Sequence, residues 1–206
     1  MNILEIPHPV LFLISAPSGA GKTTLCHRLL REVPQLKYSV SSTTRAPREG
    51  EVNGVDYDFL SREEFDARVE AGEFLEYAEV HGNGYGTRLE TIRKYFHQGH
   101  SVLLDVDVQG AAHIRRNLRG DGMDPLMRES FVDVFLSPPT LESLRERLEG
   151  RGKDTVEVIE KRLRNASEEM KEAPRYQFQV VNDDLEQAYQ DLKAVYVAAT
   201  LRTVLL

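Results

Sequence analysis

The run Val10-Leu-Phe-Leu-Ile14 passes almost directly into Ala16-Pro-Ser-Gly-Ala-Gly-Lys-Thr23, and no other feature of the chain narrows its fold as much. Five consecutive apolar residues without polar alternation suit a short strand covered on both faces, as in a parallel sheet. The residues after the turn, Lys22 to Val33, read as a helix that stops before Pro34. The turn itself matches the Walker A pattern G-x-x-x-x-G-K-[ST], with Ala16 in place of the first glycine. Gly19 and Gly21 let the backbone wrap an anion with several N–H groups pointing inward. The following helix N-terminus adds partial positive charge. Lys22 is spaced to reach β- and γ-phosphates, and the Thr23 hydroxyl to ligate a nucleotide-bound Mg²⁺. A ligand-free glycine turn does not call for Gly-Lys-Thr after a buried strand. The motif leaves the reaction open, because kinases, GTPases and motor ATPases share it.

The rest of the chain keeps the alternation. Lys37–Ser42, Ser101–Val106, Phe131–Leu136 and Gln177–Val181 read as strands, and Gly110–Leu118, Thr140–Glu149, Thr155–Glu172 and Asp184–Leu205 as helices. In the last helix Leu185, Ala188, Tyr189, Leu192, Val195, Tyr196 and Ala199 fall on one face. Such a succession predicts an α/β fold with a parallel sheet flanked by helices. With 206 residues, 41% of them hydrophobic, the chain is long enough for one such domain with mobile parts and its own core.

Residues 43–98 break the rhythm with Arg, Glu, Gly and Tyr and with short strand-like pieces, Val55–Leu60 and Phe74–Val80. They read as an insertion into the sheet. Gly150-Arg-Gly-Lys-Asp154 interrupts two helices as a lid would, and Arg119-Gly-Asp-Gly-Met-Asp-Pro125 reads as a surface loop. Within the insertion, Ser41-Ser-Thr-Thr-Arg-Ala-Pro-Arg48 sets two arginines about a proline, and Tyr57, Glu76 and Gly82-Asn-Gly-Tyr-Gly-Thr87 follow. Singly, Arg45 and Arg48 read as a solvated surface pair and Tyr57 and Tyr85 as packing. Together they fit a second phosphate site, since guanidinium forks match phosphate geometry.

Charge and composition exclude several classes. A net charge of −7 disfavours a duplex-binding protein, and no nucleic-acid partner is expected. No run approaches the roughly 20 apolar residues of a membrane span, and Glu5 with no early Lys or Arg argues against a leader. The lone Cys26 excludes a disulfide framework and a Cys-rich zinc site and fits a reducing, cytoplasmic setting. The six histidines show no metal-ligand spacing.

From about Pro9 onward the chain resembles guanylate kinase. The match comprises the cradle, the Ser-Ser-Thr-Thr-Arg-x-Pro-Arg loop, the Gly-Asn-x-Tyr-Gly-Thr turn and Leu104-Asp-Val-Asp-Val-Gln-Gly110. It extends through Ser137-Pro-Pro139, Arg147-Leu-Glu-Gly-Arg-Gly152, Lys161-Arg-Leu163 and Val181-Asn-Asp-Asp184. The resemblance implies a P-loop kinase of three parts: a core of residues 1–40, 101–146 and 173–206, an NMP-binding insertion of residues 41–100, and a lid of residues 147–172. It implies phosphoryl transfer from ATP to GMP, with Mg²⁺ carried by ATP, in purine metabolism, with dGMP as a further acceptor.

By the same resemblance, Ser18, Gly19, Ala20, Gly21, Lys22, Thr23, Thr24, Arg147, Asn182 and Asp183 surround ATP. Arg45, Arg48, Tyr57 and Tyr85 hold the GMP phosphate. Glu76 accepts from guanine N1–H and its 2-amino group, while Ser41, Gly86 and Thr87 contact the base edge. Asp105 and Asp107 orient GMP or water on Mg²⁺, although Asp107 also suits a helix cap before Gln109-Gly110. Lys22, Arg48, Arg151 and Arg162 act on the transferring group. Gly84 departs from the family, which commonly has an aromatic residue before Tyr85, and implies a looser base pocket. Arg119–Ser130 is longer than the usual connection. Two other readings are a P-loop kinase for another phosphorylated small molecule, such as a ribose bisphosphate, and a non-catalytic interaction module. The base-edge readers speak against the first and the intact Lys22 and Thr23 against the second. The oligomeric state stays open between monomer and homodimer.

Overall fold

The computed structural model describes residues 8–80, 82–120, 122–150, 152 and 154–203. The chain runs through β1 (Leu11–Ser15), α1 (Lys22–Glu32), β2 (Leu36–Tyr38), β3 (Ser42–Thr43), β4 (Asp58–Phe59), α2 (Arg62–Glu70), β5 (Phe74–Val80), β6 (Asn83–Arg88) and α3 (Leu89–His97). It continues with β7 (Ser101–Asp105), α4 (Val108–Leu118), α5 (Pro125–Glu129), β8 (Phe131–Ser137), α6 (Leu141–Glu149), α7 (Val156–Met170), a 3₁₀ turn at Ala173–Arg175, β9 (Phe178–Val181) and α8 (Leu185–Thr200).

Five strands form a parallel sheet in the order β2-β7-β1-β8-β9. β1 is central, with Leu11 opposite Val102 on one side and Phe131 on the other. Alternate side chains leave opposite faces of a strand. Phe12 and Ile14 therefore pack with Leu25, Leu29 and Tyr189 of α1 and α8, while Leu11 and Leu13 pack with Ile92, Ile114 and Met127 of α3, α4 and α5. Helices cover both faces, which is why β1 is apolar at every one of its first four positions. This is the fold expected from the sequence. A third apolar cluster, Leu144, Leu148, Ile159, Leu163 and Ala166, joins α6 to α7.

The expected strand Lys37–Ser42 divides. β2 pairs with β7 and ends at Tyr38, after which the chain leaves the sheet and enters a second one as β3. A continuous strand-like composition cannot show a change of sheet. The second sheet has the order β4-β3-β6-β5, with β6 antiparallel to both neighbours. Ser61 and Glu64 form a capping box that starts α2, and Phe65 packs on Phe74 with ring centroids 4.8 Å apart. Leu75 of β5 is buried in the main core, and its carbonyl accepts from Asn117 Nδ2 of α4 at 2.7 Å, fixing this sheet to the domain.

The expected loop over Arg119–Pro125 ends earlier than its composition suggests. Asp124 caps α5 through the Leu126 N–H, Pro125 occupies the first turn, and Met127 is fully buried. Among the described residues no helix is long and apolar enough to cross a membrane.

Candidate active site

The cradle follows β1. Gly19 and Gly21 have φ of +98° and +96°, a left-handed region that penalises any side chain. A Cβ at Gly21 would also stand 2.3 Å from Asn182 Nδ2. That amide donates to the Ala20 carbonyl at 2.7 Å, while the Asn182 carbonyl accepts from Arg147 Nη2 at 2.8 Å. Asn182 is buried and so clamps the cradle from behind. The resulting cavity, about 370 Å³, is lined by Ser18, Gly19, Gly21, Lys22, Thr23 and Thr24 of the expected set, with Asp107 and Glu169 opposite. Ala20 is buried beneath it. A second cavity of about 450 Å³ lies beside the same glycines, walled by Arg147, Gly150, Asn182, Asp183 and Leu185. The expected ATP-side residues thus fall around one continuous stretch of backbone.

The acceptor cavity, about 390 Å³, opens between the two sheets. Ser41, Tyr57, Glu76, Tyr85, Gly86, Asp105 and Asp107 line it, together with Lys22 and Gly110. Glu76 sits on β5 and is only 7% exposed. Thr87 on the paired strand β6 donates to its Oε1 at 2.8 Å, leaving Oε2 toward Gly110, where an added Cβ would come within 3.6 Å. Burial pushes the Glu76 carboxyl up to about 7, with the nearby Asp107 charge adding to the shift and Thr87 opposing it. Thr87 itself does not line the cavity; its hydroxyl orients Glu76. Tyr57 stands edge-on to Tyr85 at 6.1 Å, and the Arg45 guanidinium lies over the Tyr57 ring at 5.4 Å.

Lys22 and Asp107 belong to the walls of both cavities. The Lys22 ammonium is paired with Asp105 and donates to the Val106 carbonyl at 3.1 Å, at the carboxyl end of β7. Ligands of open α/β sheets bind at this end. Asp107 Oδ1 accepts from the Gly110 N–H at 2.8 Å, so the helix-capping reading holds and leaves Oδ2 beside the cavities.

Other expected residues stand apart. Arg45 is paired with Glu51 at 2.8 Å and is outside the cavity lining, and Arg48 is exposed with its N–H bonded to Glu51. Arg162 on α7 pairs with Asp154 at 3.4 Å. Arg151 lies outside the described residues. Gly84 is on the opposite face of β6 from the acceptor cavity: a Cβ there would stand 2.7 Å from the Phe65 ring. The looser base pocket expected from Gly84 is therefore corrected, since the absent side chain makes room for Phe65.

Two carboxylates escaped the sequence. Glu169 faces the cradle from α7, and its carboxyl is raised, first by burial and then by Asp107. Its signal was an acid three residues beyond Ala166, in line with the buried stripe Ile159, Leu163 and Ala166. Glu51 is the other, hidden in a loop composition that looks solvated. Among the described residues no group of three or more His, Cys, Asp or Glu could hold a metal ion unaided. The hard oxygens of Thr23 and Asp107 on the cradle suit a Mg²⁺ whose remaining ligands are nucleotide phosphates and water.

Comparison with known proteins agrees with this geometry. The family model for guanylate kinase matches residues 9–199. Guanylate kinase of Syntrophotalea carbinolica is 46% identical over 94% of this chain and 87% of its own, and that of Nitratidesulfovibrio vulgaris 47% over 93% and 88%. The crystal structure of guanylate kinase from Anaplasma phagocytophilum superposes with a TM-score of 0.72 at 32% identity, covering 96% of this chain and 89% of that one. With a cradle, a buried carboxylate pocket and a matching family model across nearly its whole length, the chain belongs to the guanylate kinase family.

Proposed function

We infer that this chain transfers the γ-phosphoryl group of ATP to the 5′-phosphate of GMP, yielding ADP and GDP. The observation that carries the reading is the shared wall. A backbone cradle for one nucleotide and a side-chain pocket for another meet at Lys22 and Asp107. A phosphoryl group held by the first has its acceptor in the second.

The nucleophile is a GMP phosphate oxygen, anionic near neutral pH, so the protein supplies no general base. It bonds to the γ-phosphorus while the β–γ bridging oxygen departs with ADP. Catalysis is then positioning, charge stabilisation and water exclusion. Lys22 exchanges Asp105 for phosphate oxygens at the centre of the transfer. Arg45, Arg48, Tyr57 and Tyr85 bind the acceptor phosphate. Glu76, oriented by Thr87, accepts from guanine N1–H and the 2-amino group, a donor pair that adenine lacks. Asp105 and Asp107 orient the acceptor, and Ser41 and Gly86 border its base. Arg147, Asn182 and Asp183 shape the ATP side. Arg151 and Arg162 reach the transferring group when a lid of residues 147–172 closes with the insertion of residues 41–100 over the core. Thr23 and Asp107 would hold a Mg²⁺ carried by ATP, which would supply charge neutralisation at the transferring group. The pocket reads base and phosphate, so dGMP serves as a second acceptor. The setting is cytoplasmic purine nucleotide metabolism.

The test is ADP release from ATP and Mg²⁺ with GMP, dGMP, AMP or no acceptor. GMP and dGMP are expected to drive turnover and AMP to remain near the blank. Absence of GMP-dependent ADP overturns the activity; equal turnover with AMP overturns the role of Glu76.

A further inference from the structure

In the loop between β3 and β4, the turn that carries Arg45 and Arg48 is tied by one acidic side chain. Glu51 Oε1 accepts from Arg45 Nη2 at 2.8 Å, and its Oε2 accepts from the Arg48 N–H at 2.7 Å. The Glu51 N–H returns to the Arg48 carbonyl at 3.1 Å, closing the turn, with Gly50 at φ +86°. The ion pair is sheltered: the Arg45 and Glu51 side chains are 15% and 19% exposed, against 51% and 50% for the surface pair Arg62–Asp66. Charge-assisted bonds out of bulk water hold geometry better than exposed ones. Arg45 is further pinned by the Ala46 carbonyl at 2.8 Å and by the ring of Tyr57, which in turn meets Tyr85. The Arg45 guanidinium also keeps the Glu51 carboxyl below its ordinary range.

We propose that Glu51 is a positioning residue that presets the acceptor-phosphate site by holding Arg45 and the Arg48 turn in place before GMP arrives. This rests on the reading of Arg45 and Arg48 as phosphate ligands given above. Glu51 takes the guanidinium of Arg45 but only the main-chain N–H of Arg48, so the clamp leaves the Arg48 side chain to attract a dianion. A long arginine held before binding loses less rotamer freedom when the phosphate docks. The opposite role has the opposite sign: a carboxylate that merely occupied the phosphate's seat would compete with GMP.

The experiment compares Glu51→Ala, Glu51→Gln and Arg45→Ala by steady-state kinetics and by calorimetric titration with GMP. Glu51→Ala is expected to raise KM and Kd for GMP about tenfold, the scale of one charge-assisted hydrogen bond, with KM for ATP within about twofold. Glu51→Gln keeps one acceptor oxygen and is expected to recover part of the loss. Unchanged or tighter GMP binding in Glu51→Ala overturns the proposal. So does an equal weakening toward both nucleotides, the mark of a general structural defect. If Glu51→Ala weakens GMP alone, the proposal stands provided Arg45→Ala does the same. If Arg45→Ala leaves GMP binding unaltered, the assignment of the phosphate site has failed, and the role of Glu51 with it.

Discussion

The two cavities proposed for the nucleotides are built by different means. The donor cradle is made of contiguous main chain, where Gly19 and Gly21 turn the backbone and the first turn of α1 supplies donors. The acceptor cavity is made of side chains gathered from β5, β6, β7 and the loops around β3 and β4. A backbone site is complete when the chain has folded. A side-chain site has charged and polar groups that find partners among themselves: Lys22 with Asp105, Arg45 with Glu51, Thr87 with Glu76. Polar groups shielded from water are mostly paired, so on the proposed reading substrate binding exchanges partners on the acceptor side and adds them on the donor side.

Lys22 is the side chain that breaks this division, since it walls both cavities. Lys22→Ala is expected to lower kcat by roughly 10³, the upper range for removing one preorganised charge donor. Because Lys22 is partly exposed and its partner Asp105 is also at the cavity wall, the variant is expected to fold. A kcat within tenfold of the parent would remove Lys22 from the transfer step.

Glu76→Gln sharpens the contrast from the acceptor side. An amide offers one acceptor and presents a donor to the guanine donors, so kcat/KM for GMP is expected to fall by roughly 10²-fold, less than the limit for a fully mismatched polar site. KM for ATP is expected to stay within about twofold. The same group carries a pH signature. Its folded pKa of about 7 lies above the ordinary 4.5, so its contribution to stability is full below pH 4.5 and is lost as pH rises through 7. The neutral amide avoids that loss. Glu76→Gln is therefore expected to raise the thermal midpoint at pH 8, by at most about 3 kcal/mol equivalent, and to leave it nearly unchanged at pH 4.5. Below pH 7 the parent's affinity for GMP is expected to weaken toward tenfold per pH unit as the carboxylate protonates, and the variant to lack that component. Identical melting shifts at both pH values would sever the link between burial and base recognition.

Gly21→Ala probes the donor side, with a smaller effect. The left-handed φ and the 2.3 Å approach to Asn182 Nδ2 set strain against a buried hydrogen bond. A loss of about 2–3 kcal/mol in stability is expected from these two costs together. Affinity for ATP should fall about tenfold, because a misdirected cradle loses roughly one good anion contact. GMP binding, read by calorimetry without ATP, should hold. Equal loss of both affinities would mean that the cavities do not form independently.

The donor side was the more legible in the sequence for the same reason. A strand, a glycine turn and a helix start are written in consecutive residues, so Ser18 to Thr24 could be placed from local chemistry. The alternation that gives the parallel sheet is also local. The acceptor side depends on pairing between distant segments. That Thr87 meets Glu76 follows from the register of β5 against β6, in which these two residues are opposite and so share one face of the sheet. The split of Lys37–Ser42 between two sheets, the role of Glu51 as a partner for Arg45 and Arg48, and the reach of Glu169 from α7 to the cradle are likewise tertiary facts. Asp107 was legible in part, since its capping of α4 follows from its position before Val108, and its place at both cavities does not.

Gly84 is the smallest test and the most direct one of register. Residues 84 and 86 share one face of β6, and added Cβ atoms there meet Phe65 and Phe74 at 2.7 Å each, on the side away from the acceptor cavity. A side chain at 84 must push the Phe65 ring off its contact with Phe74, which disturbs how α2 packs on the second sheet. Gly84→Ala is expected to cost about 1–2 kcal/mol of stability by overpacking. KM for GMP should move by no more than about twofold, since Tyr85 and Glu76 keep their register. Gly84→Ala combined with Phe65→Leu, which shortens the obstructing ring, should recover part of the lost stability. If Gly84→Ala instead tightened GMP binding without loss of stability, position 84 would face the base after all, and the alternation along β6 that places Tyr85 in the cavity would have to be reversed.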